Sequence, residues 1–346
     1  MNILVTGYSG YIGSLLIPIL LEEGYRITGI DTCWHENLIS TNTQPHLVIN
    51  KDIRHLDIEC FNNIDCVIHL AALCNDPLGE LNEKATYDIN YHASIDIAKL
   101  AKKAGVKRFI YASSCSLYGG SGGRLVDESA DFTPLTHYAK SKINVEKDIY
   151  PLADDVFCVT CLRLATAYGF APMLRGDLVI NNLTYYALTT GKVYLKSQGL
   201  AWRPFIHVED IARVINEFIK APTEIVNHNS FNIGCNKENY TINEIAEIVK
   251  LTIPDSNIEF ASNAFIDERN YKVDFTNFKN AFSDFKFNWT VHEGIKQLKE
   301  KFIEHDLINL DIDSQQLNRV ERLNCLIKEG LLDQNFFWKS DNRSFV

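Results

Sequence analysis

The sequence predicts an α/β protein with a doubly wound parallel sheet, followed by a smaller mixed α/β domain. Two observations carry this prediction. Short β-branched runs alternate with helical patterns through the first half of the 346-residue chain, and such alternation produces βαβ units with right-handed crossovers. After about residue 170 the strands become shorter and the connections more irregular, which indicates a change of domain.

The strands of the predicted sheet are short and mostly apolar along their whole length. Uninterrupted apolar strands are typical of parallel sheets that helices cover on both faces. Helical patterns at 12–23, 83–104 and 137–150 separate them. The predicted strands cover 3–6, 26–30, 46–50, 66–70, 109–112 and 157–164.

The second half predicts a domain that packs over the carboxyl edge of this sheet. We place the first domain at 1–172, with part of 203–235 crossing back to it. The second domain covers 173–312, and a helical tail covers 313–346. The predicted elements of the second half are the strands 193–195 and 231–233 and the helices 178–189, 208–220 and 242–251.

The tail predicts one more helix, over about residues 314–332. Its apolar residues recur at spacings near three and four, so they share one face. This face covers either the protein's own body or an oligomer surface, and we prefer the first interpretation. Phe336, Phe337 and Trp338 are expected to anchor the end of the tail. The apolar face consists of Leu317, Val320, Leu323, Leu326 and Ile327.

Composition and charge exclude several classes of function. The formal net charge is −10, and an acidic chain lacks the basic footprint that nucleic-acid phosphates require. No apolar run approaches the ~20 residues that span a bilayer, and the N-terminus enters a strand directly, so we expect no membrane partner and no secretory leader. The nine cysteines are scattered, which fits reduced thiols in the cytoplasm.

Cys158 and Cys161 form a CxxC pair inside a predicted strand. An odd separation along a strand turns two side chains to opposite faces of the sheet. A metal site needs its thiols together, usually with a second pair. We therefore expect core packing for both cysteines and no metal.

A glycine-rich segment at residues 7–13, GYSGYIG, lies between an apolar strand and an apolar helix. Gly7 permits a tight turn, Gly10 admits phosphate groups, and Gly13 lets helix and strand pack closely. The N-terminus of the helix offers free N–H groups and a partial positive charge. The segment therefore predicts a site for a dinucleotide pyrophosphate.

Asp31 indicates which dinucleotide binds. It ends the second strand, 18 residues after Gly13, where a carboxylate accepts hydrogen bonds from the adenine ribose and repels a 2′-phosphate. NAD is therefore favoured over NADP. Asp52 and Ile53 follow the third strand and either flank the adenine or form an ordinary turn.

Tyr138 and Lys142 lie one helical turn apart, on one face of the predicted helix. A free tyrosine has a pKa of about 10, and a nearby ammonium and an oxidised nicotinamide both favour the phenolate. Tyr138 can then accept the proton of a substrate hydroxyl as hydride leaves the same carbon. Lys142 would also hold the nicotinamide ribose.

Small polar residues end the predicted fifth strand, in the segment YASSCSLYG at residues 111–119. Open α/β sheets bind ligands at this carboxyl edge. The Ser114 hydroxyl can hydrogen-bond the reacting oxygen, and Ser116 can contact the substrate. The alternative for both is a turn-forming role.

Together these motifs resemble an extended short-chain dehydrogenase/reductase, and more narrowly the NAD-dependent epimerase/dehydratase family that acts on nucleotide sugars. The resemblance covers residues 1 to about 300. It implies a Rossmann-type first domain, NAD as cofactor, Ser114, Tyr138 and Lys142 as catalytic residues, and a homodimer. It is carried by 6–13, Asp31, 70–72, 113–119, 138–142 and 203–208.

The predicted cofactor site combines these motifs with positions that the resemblance implies. Its residues are Gly7, Gly10, Tyr11, Ile12, Gly13, Asp31, Asp52, Ile53, Leu70, Ala71, Ala72, Asn90, Ser113, Tyr138 and Lys142.

The resemblance also implies how a nucleotide diphosphate sugar is held, with Ser114 and Ser116 near the sugar. Arg203 and Arg269 match positions that bind the diphosphate in similar members, and guanidinium groups suit that geometry. The alternative for each is a surface salt bridge.

Two further pairs precede or begin a predicted helix. Asn181 and Asn182 resemble the family's asparagine near the diphosphate and sugar, and the sequence leaves open which one serves. Arg175 and Asp177 either face the sugar or cap this helix.

One departure from the family pattern reduces the number of reactions that this chain is expected to catalyse. Members that dehydrate sugars carry an Asp-Glu pair after the catalytic hydroxyl residue, and here Cys115 and Ser116 stand in those places. Neither can do that acid–base chemistry at neutral pH, so a 4,6-dehydratase is disfavoured.

The leading hypothesis is a nucleotide-sugar epimerase that acts at C4 through a 4-keto intermediate. A dehydrogenase or ketoreductase with net redox change would use the same residues. A non-catalytic dinucleotide sensor would usually lose the tyrosine–lysine pair, which this chain retains.

Overall fold

A computed structural model of the protein describes residues 1–35, 38–39 and 43–339. In these ranges the strands are β1 (Asn2–Thr6), β2 (Arg26–Asp31), β3 (Leu47–Asn50), β4 (Cys66–His69), β5 (Arg108–Ser114), β6 (Leu125–Val126), β7 (Cys158–Leu164), β8 (Thr166–Tyr168), β9 (Lys192–Ser197), β10 (Trp202–His207), β11 (Asn229–Ile233), β12 (Asn239–Thr241), β13 (Asn257–Phe265) and β14 (Lys272–Val273). The α-helices are α1 (Gly13–Glu22), α2 (Asp76–Gly79), α3 (Glu83–Tyr87), α4 (Ala93–Lys103), α5 (His137–Ile149), α6 (Val179–Thr190), α7 (Val208–Lys220), α8 (Thr223–Val226), α9 (Ile242–Thr252), α10 (Thr276–Ala281), α11 (Val291–Glu304) and α12 (Arg319–Lys328).

Seven strands form one parallel sheet in the order β11-β7-β5-β4-β1-β2-β3. Six of them are the strands predicted for the first half. The order runs outward in opposite directions from β1 and β4, and the crevice beyond the carboxyl ends of such a pair is where open α/β sheets bind ligands. The predicted fold class is confirmed.

Helices cover both faces of this sheet because its strands are apolar on both sides. Ile3 and Val5 of β1 pack into one core cluster, while Leu4 packs into the other. Cys158 and Cys161 also divide between the two clusters, which confirms core packing on opposite faces. All nine cysteines are free thiols. Among the described residues, no helix is both long and apolar enough to cross a membrane.

The predicted helix over 83–104 is interrupted by one turn of π-helix. Helices α3 and α4 flank this turn, which covers Asp88–His92. A π turn widens the helix locally and is frequent beside functional sites. Here it contains Asn90, whose side chain is buried.

The second half builds a separate apolar cluster around Tyr168, Phe205 and Phe302. Strand β9 pairs with β13, and β10 pairs with β8 and β12. The chain also returns to the first half, since β11 joins the large sheet beside β7. We keep the division at residues 172 and 312 as a proposal that fits this arrangement.

The helix of the tail is shorter than predicted. Helix α12 covers only Arg319–Lys328, because Asn318 caps its N-terminus by accepting hydrogen bonds from the backbone of Val320 and Glu321. Before the cap, Leu317 packs into the cluster of the second half, which requires a change of chain direction.

Helix α12 packs on the protein's own body, as predicted. Leu323 and Leu326 are buried in a core cluster of the large sheet, and Phe336 joins them. Phe337 stacks on His55, and the Trp338 indole donates a hydrogen bond to the Thr32 carbonyl. The aromatic residues therefore anchor the tail, and residues 340–346 lie outside the described residues.

Candidate active site

A cavity of about 780 Å³ opens at the carboxyl edge of the large sheet. It contains most of the residues predicted for the cofactor and the substrate, contributed by both halves of the chain. Their roles stay predictions, but the fold brings them together. The predicted residues that line it are Gly7, Gly10, Tyr11, Ile12, Gly13, Asp31, Asp52, Ile53, Leu70, Ala71, Ala72, Ser113, Ser114, Ser116, Tyr138, Lys142, Asn182, Arg203 and Arg269.

The glycine turn presents bare backbone to this cavity. Gly7 has a φ of +74°, and its N–H donates to the Ile30 carbonyl at 2.8 Å. A Cβ on Gly13 would lie 2.5 Å from the Gly7 carbonyl oxygen, so only glycine allows helix α1 to start this close to the turn. A Cβ on Gly10 would meet only that same oxygen, at 3.2 Å, because the cavity lies on its other side.

Asp31 links the end of β2 to the glycine turn. Its Oδ2 accepts a hydrogen bond from the Ser9 N–H at 3.2 Å, and its Oδ1 accepts one from the Cys33 N–H at 2.9 Å. These two bonds fix the carboxylate at the cavity wall. Each oxygen keeps acceptor capacity for a ligand hydroxyl.

Asp52 and Ile53 line the cavity and also form a turn, so the two interpretations are compatible. The Asp52 carboxylate caps the short 3₁₀ turn Ile53–His55 and pairs with the Arg54 guanidinium at 2.6 Å. Ile53 is buried and offers an apolar surface. Both residues therefore hold one wall of the cavity in place.

Ser114, Tyr138 and Lys142 converge at the ends of β5 and α5. The Lys142 ammonium donates to the Ala112 carbonyl at 2.7 Å and lies 5.7 Å from the centroid of the Tyr138 ring. Thr136 caps α5 by accepting a hydrogen bond from the Ala139 N–H. This cap fixes the start of the helix at His137 and places Tyr138 in its first turn. The three side chains can therefore act on one substrate oxygen.

Within the protein itself, burial opposes the Tyr138 phenolate that Lys142 and an oxidised nicotinamide are expected to favour. Burial raises the pKa of Tyr138, and contact with the Ser114 hydroxyl only partly opposes this. Burial also lowers the pKa of Lys142 to about 8, so the ammonium is less firmly charged than a free lysine. Desolvation is the largest cause of both shifts because both groups are enclosed.

Two predicted contacts require correction, and the side chain of a third predicted residue already has a partner. Asn90 does not line the cavity, because its amide bonds both backbone groups of Leu73. Asn181 does not line it either, because it accepts from the Gly169 N–H and donates to the Arg175 carbonyl. Ser113 lines the cavity, but its hydroxyl donates to the buried Glu146 carboxylate.

The structure therefore distinguishes the two asparagines that the sequence left open. Asn182 reaches the cavity wall, and Asn181 is completely buried behind it. Adjacent residues on a helix point about 100° apart, so only one of them can face the ligand. Asn182 is thus the candidate for contact with the substrate.

The two residues after Ser114 face in different directions. Cys115 is buried, its thiol contacts the Arg163 carbonyl, and burial raises its pKa well above the ordinary value. Ser116 lines the cavity, and its buried hydroxyl has no hydrogen-bond partner among the described residues. A buried hydroxyl without a partner is costly, so Ser116 stays a candidate for contact with a ligand.

Arg203 and Arg269, the arginines predicted to bind the diphosphate, are both paired with carboxylates, so each forms a salt bridge as the alternative interpretation proposed. Arg269 bonds Asp267 through two nitrogens and contacts Asp76 at 2.6 Å, and Arg203 also reaches Asp267 at 2.9 Å. This cluster is partly neutralised. Arg203 and Arg269 are therefore poised beside the cavity rather than freely available to a diphosphate.

Arg175 and Asp177 form a second pair, 2.6 Å apart, and Asp177 also accepts a hydrogen bond from the Asn75 amide. Both residues line the cavity. Neither caps α6, because the N-cap position of this helix is Leu178 and no side chain provides a capping hydrogen bond there. The capping interpretation is therefore wrong. The attraction of Arg175 outweighs the cost of burial and lowers the pKa of Asp177.

Comparison with known proteins gives the same assignment as the motifs. The model of the NAD dependent epimerase/dehydratase family matches residues 3–234. The chain belongs to this family. It is an enzyme of the nucleotide-sugar epimerase/dehydratase class, and its cofactor is NAD.

Relatives within the family catalyse different reactions. A putative UDP-glucose 4-epimerase of Methanocaldococcus jannaschii is 30% identical over 72% of this chain and 81% of the relative. The dTDP-D-glucose 4,6-dehydratase of Mus musculus is 28% identical over 77% of each chain. Among solved structures, MoeE5 in complex with UDP-glucuronic acid and NAD is 26% identical, with a TM-score of 0.77 over 88% of this chain and 100% of that one.

The site of this family member fits NAD on its own geometry. The N-terminus of α1 has no side-chain cap and no acidic residue in its first turn, so its N–H groups can bind phosphate oxygens. A Cβ on Gly10 would meet only the Gly7 carbonyl oxygen within 4 Å, so the glycine leaves its cavity side clear for a phosphate. Asp31 occupies the end of the second strand of the fold, as a ribose-binding carboxylate requires.

Sequence reasoning missed several residues of the cavity wall. Cys74, Asn75 and Asp76 follow β4 at the carboxyl edge, and the position of that strand end could have indicated them. Arg319 also lines the cavity from α12. The periodicity of the tail revealed only the apolar face of this helix, and no local signal distinguished its arginine.

Proposed function

We propose that this protein is an NAD-dependent nucleotide-sugar epimerase that acts at C4 through a 4-keto intermediate. The observation that carries the proposal is the chemistry beside Ser114. An elimination needs a proton donor to expel the C6 hydroxyl, and Cys115 is turned into the core while Ser116 offers only a hydroxyl. The tyrosine–lysine pair for oxidation at carbon is nevertheless complete.

Three carboxylates of the cavity wall are paired with arginines and do not replace the missing acid. Asp76, Asp177 and Asp267 each form an ion pair with an arginine. The pKa values of Asp177 and Asp267 are lowered by these partners, so both are ionised at neutral pH. An ionised carboxylate cannot protonate a leaving hydroxyl.

The proposed cycle uses Tyr138 twice. Its phenolate accepts the proton of the C4 hydroxyl, the keto sugar rotates, and the phenol returns the proton to the C4 oxygen. NAD, held by the glycine turn and Asp31, would supply the hydride acceptor and donor for C4. Ser114 hydrogen-bonds the C4 oxygen. Lys142 balances the negative charge of Tyr138 whenever the phenol is deprotonated.

The substrate class follows from the rest of the cavity. Ser116 has an unpartnered hydroxyl, Asn182 reaches the wall, and Arg203 and Arg269 border it. These groups suit a sugar joined to a diphosphate. The relative from Methanocaldococcus jannaschii and the MoeE5 complex support a UDP-sugar as the first candidate.

A product assay tests the proposal. The NAD-loaded enzyme is incubated with UDP-glucose, UDP-glucuronic acid and their N-acetylated counterparts, and C4 epimers are separated while absorbance of NADH is followed. We expect two epimers at constant NADH. Stoichiometric NADH without an epimer would favour the alternative dehydrogenase, and a keto-deoxy product would favour a dehydratase.

We also propose a homodimer in the cytoplasm. Family membership supports the dimer, and nine free thiols support a reducing compartment. Mass determination by light scattering tests the first statement. A monomeric mass at micromolar concentration would contradict it.

A further inference from the structure

The tail bridges the two halves of the molecule at the cavity. On one side, the Gly176 N–H donates to the Leu317 carbonyl at 2.9 Å. On the other side, Arg322 donates to the Trp34 carbonyl at 2.8 Å, and Arg54 donates to the Asn335 carbonyl at 2.7 Å. The residues that the tail adds to the cavity wall are Asp313, Asn318, Arg319, Val320 and Glu321.

Arg319 differs from every other arginine named at this cavity. It is only 8% exposed, and no described residue accepts a hydrogen bond from it or forms an ion pair with it. Arg175, Arg203 and Arg269 all contact carboxylates. A buried cation without a partner is costly, so this arrangement points to an anion that arrives with a ligand.

The surroundings of Arg319 make its charge harder to hold without such an anion. Burial lowers its pKa to about 10, and the nearby Arg175 acts in the same direction. Asp177 and Asp31 oppose this effect without contacting the guanidinium. Arg319 therefore has carboxylates nearby but forms no ion pair with a described residue.

The position of Arg319 favours the dinucleotide over the nucleotide sugar. The charges that act on Arg319 are Arg175 and Asp177 and, more weakly, Asp31, which bonds the Ser9 N–H of the glycine turn. The tail is held on that side by Thr32 and Trp34, which follow Asp31 in the chain. The predicted diphosphate arginines belong instead to the separate cluster with Asp267 and Asp76.

We propose that Arg319 is a dinucleotide-binding residue that pairs with the pyrophosphate of NAD, and that the tail at 313–339 exists in part to carry it there. Arg319 lies outside residues 3–234, which the family model matches. The inference deepens the proposed function, since an epimerase must retain NAD through its whole cycle. It depends only on cofactor binding and not on the chemistry at C4.

Binding measurements on nucleotide-free protein test the proposal without any turnover. Calorimetry compares wild type, Arg319→Met, Arg319→Lys and Lys328→Met with NAD, ADP-ribose, adenosine and UDP as ligands. Lys328 is an exposed residue of the same helix, so its variant controls for the loss of one charge. Thermal melting without ligand checks that each variant is folded.

We expect Arg319→Met to weaken NAD and ADP-ribose by about ten- to a hundredfold, the range for a charge-assisted contact. Adenosine and UDP should change less than about twofold, and Lys328→Met should bind all four like wild type. Arg319→Lys should recover part of the loss, and it carries the test if the methionine variant does not fold.

Two results would overturn the proposal. Unchanged NAD affinity in a folded Arg319→Met protein would show that the pyrophosphate does not need this cation. A loss confined to UDP would assign Arg319 to the nucleotide sugar. A wild-type enzyme that binds NAD but lacks epimerase activity would refute the proposed function and leave these binding results intact.

Discussion

The same substitution, Gly→Ala, should have different effects at Gly13 and Gly10. At Gly13 it should lower the stability of the protein, and at Gly10 it should lower mainly the affinity for NAD. On Gly13 the added methyl would lie 2.3 Å from the Tyr8 carbonyl oxygen and 2.5 Å from that of Gly7. Real Cβ contacts essentially never fall below 3.0 Å, so the turn must open by several tenths of an ångström. Overpacking of this kind costs about 1–3 kcal/mol of stability.

On Gly10 the methyl would meet only the Gly7 carbonyl oxygen, at 3.2 Å, and would otherwise occupy cavity space. Gly10→Ala should therefore fold with nearly wild-type stability. It should nevertheless lose NAD affinity, because the methyl stands where we place the pyrophosphate. We expect a loss of at least about tenfold, one charge-assisted hydrogen bond being worth about 1.5–3 kcal/mol.

Urea denaturation of the nucleotide-free variants and calorimetric titration with NAD separate the two effects. Gly13→Ala should lower both the free energy of unfolding and NAD affinity, whereas Gly10→Ala should lower only the affinity. Gly105 lies away from this turn but has a positive φ of +83°. Alanine would strain the backbone there, so Gly105→Ala cannot serve as the control. Wild-type NAD affinity in folded Gly10→Ala would refute the placement of the phosphates at this turn.

Three further predictions test the catalytic pair and the tail. Tyr138→Phe should lower kcat by about 10²- to 10⁴-fold with unchanged NAD affinity, and Tyr91→Phe, at a tyrosine outside the cavity wall, should keep wild-type kcat; equal rates in both would contradict the mechanism. Burial lowers the pKa of Lys142 to about 8 from 10.5, so between these values the unfolded chain binds more protons and this group makes stability rise with pH. Urea denaturation from pH 7 to 10.5 should show a flatter profile for Lys142→Met, and an unchanged slope would refute that assignment. Phe336→Ala removes a buried ring and should destabilise the docked tail by about 3–5 kcal/mol, so limited proteolysis should cleave the tail before the rest of the chain; cleavage at the wild-type rate would contradict it.

Local patterns were sufficient for most of the large sheet. All six predicted strands of the first half are present in it, because parallel strands buried on both faces give continuous apolar runs. The glycine turn was equally readable, since its conformation depends on residues within seven positions of one another. The helix of the tail was predicted too long because apolar spacing does not show where Asn318 caps it.

The sequence by itself determined the sheet, the dinucleotide turn and the tyrosine–lysine pair, because each depends on residues close together in the chain. Only the tertiary structure decided which asparagine faces the cavity and which arginines already have partners. Arg269 meets Asp76 across 193 positions, and Arg319 reaches the cavity from the tail. The charge balance of a folded site depends on contacts between residues that are far apart in the chain. The local spacing of residue types cannot predict such contacts.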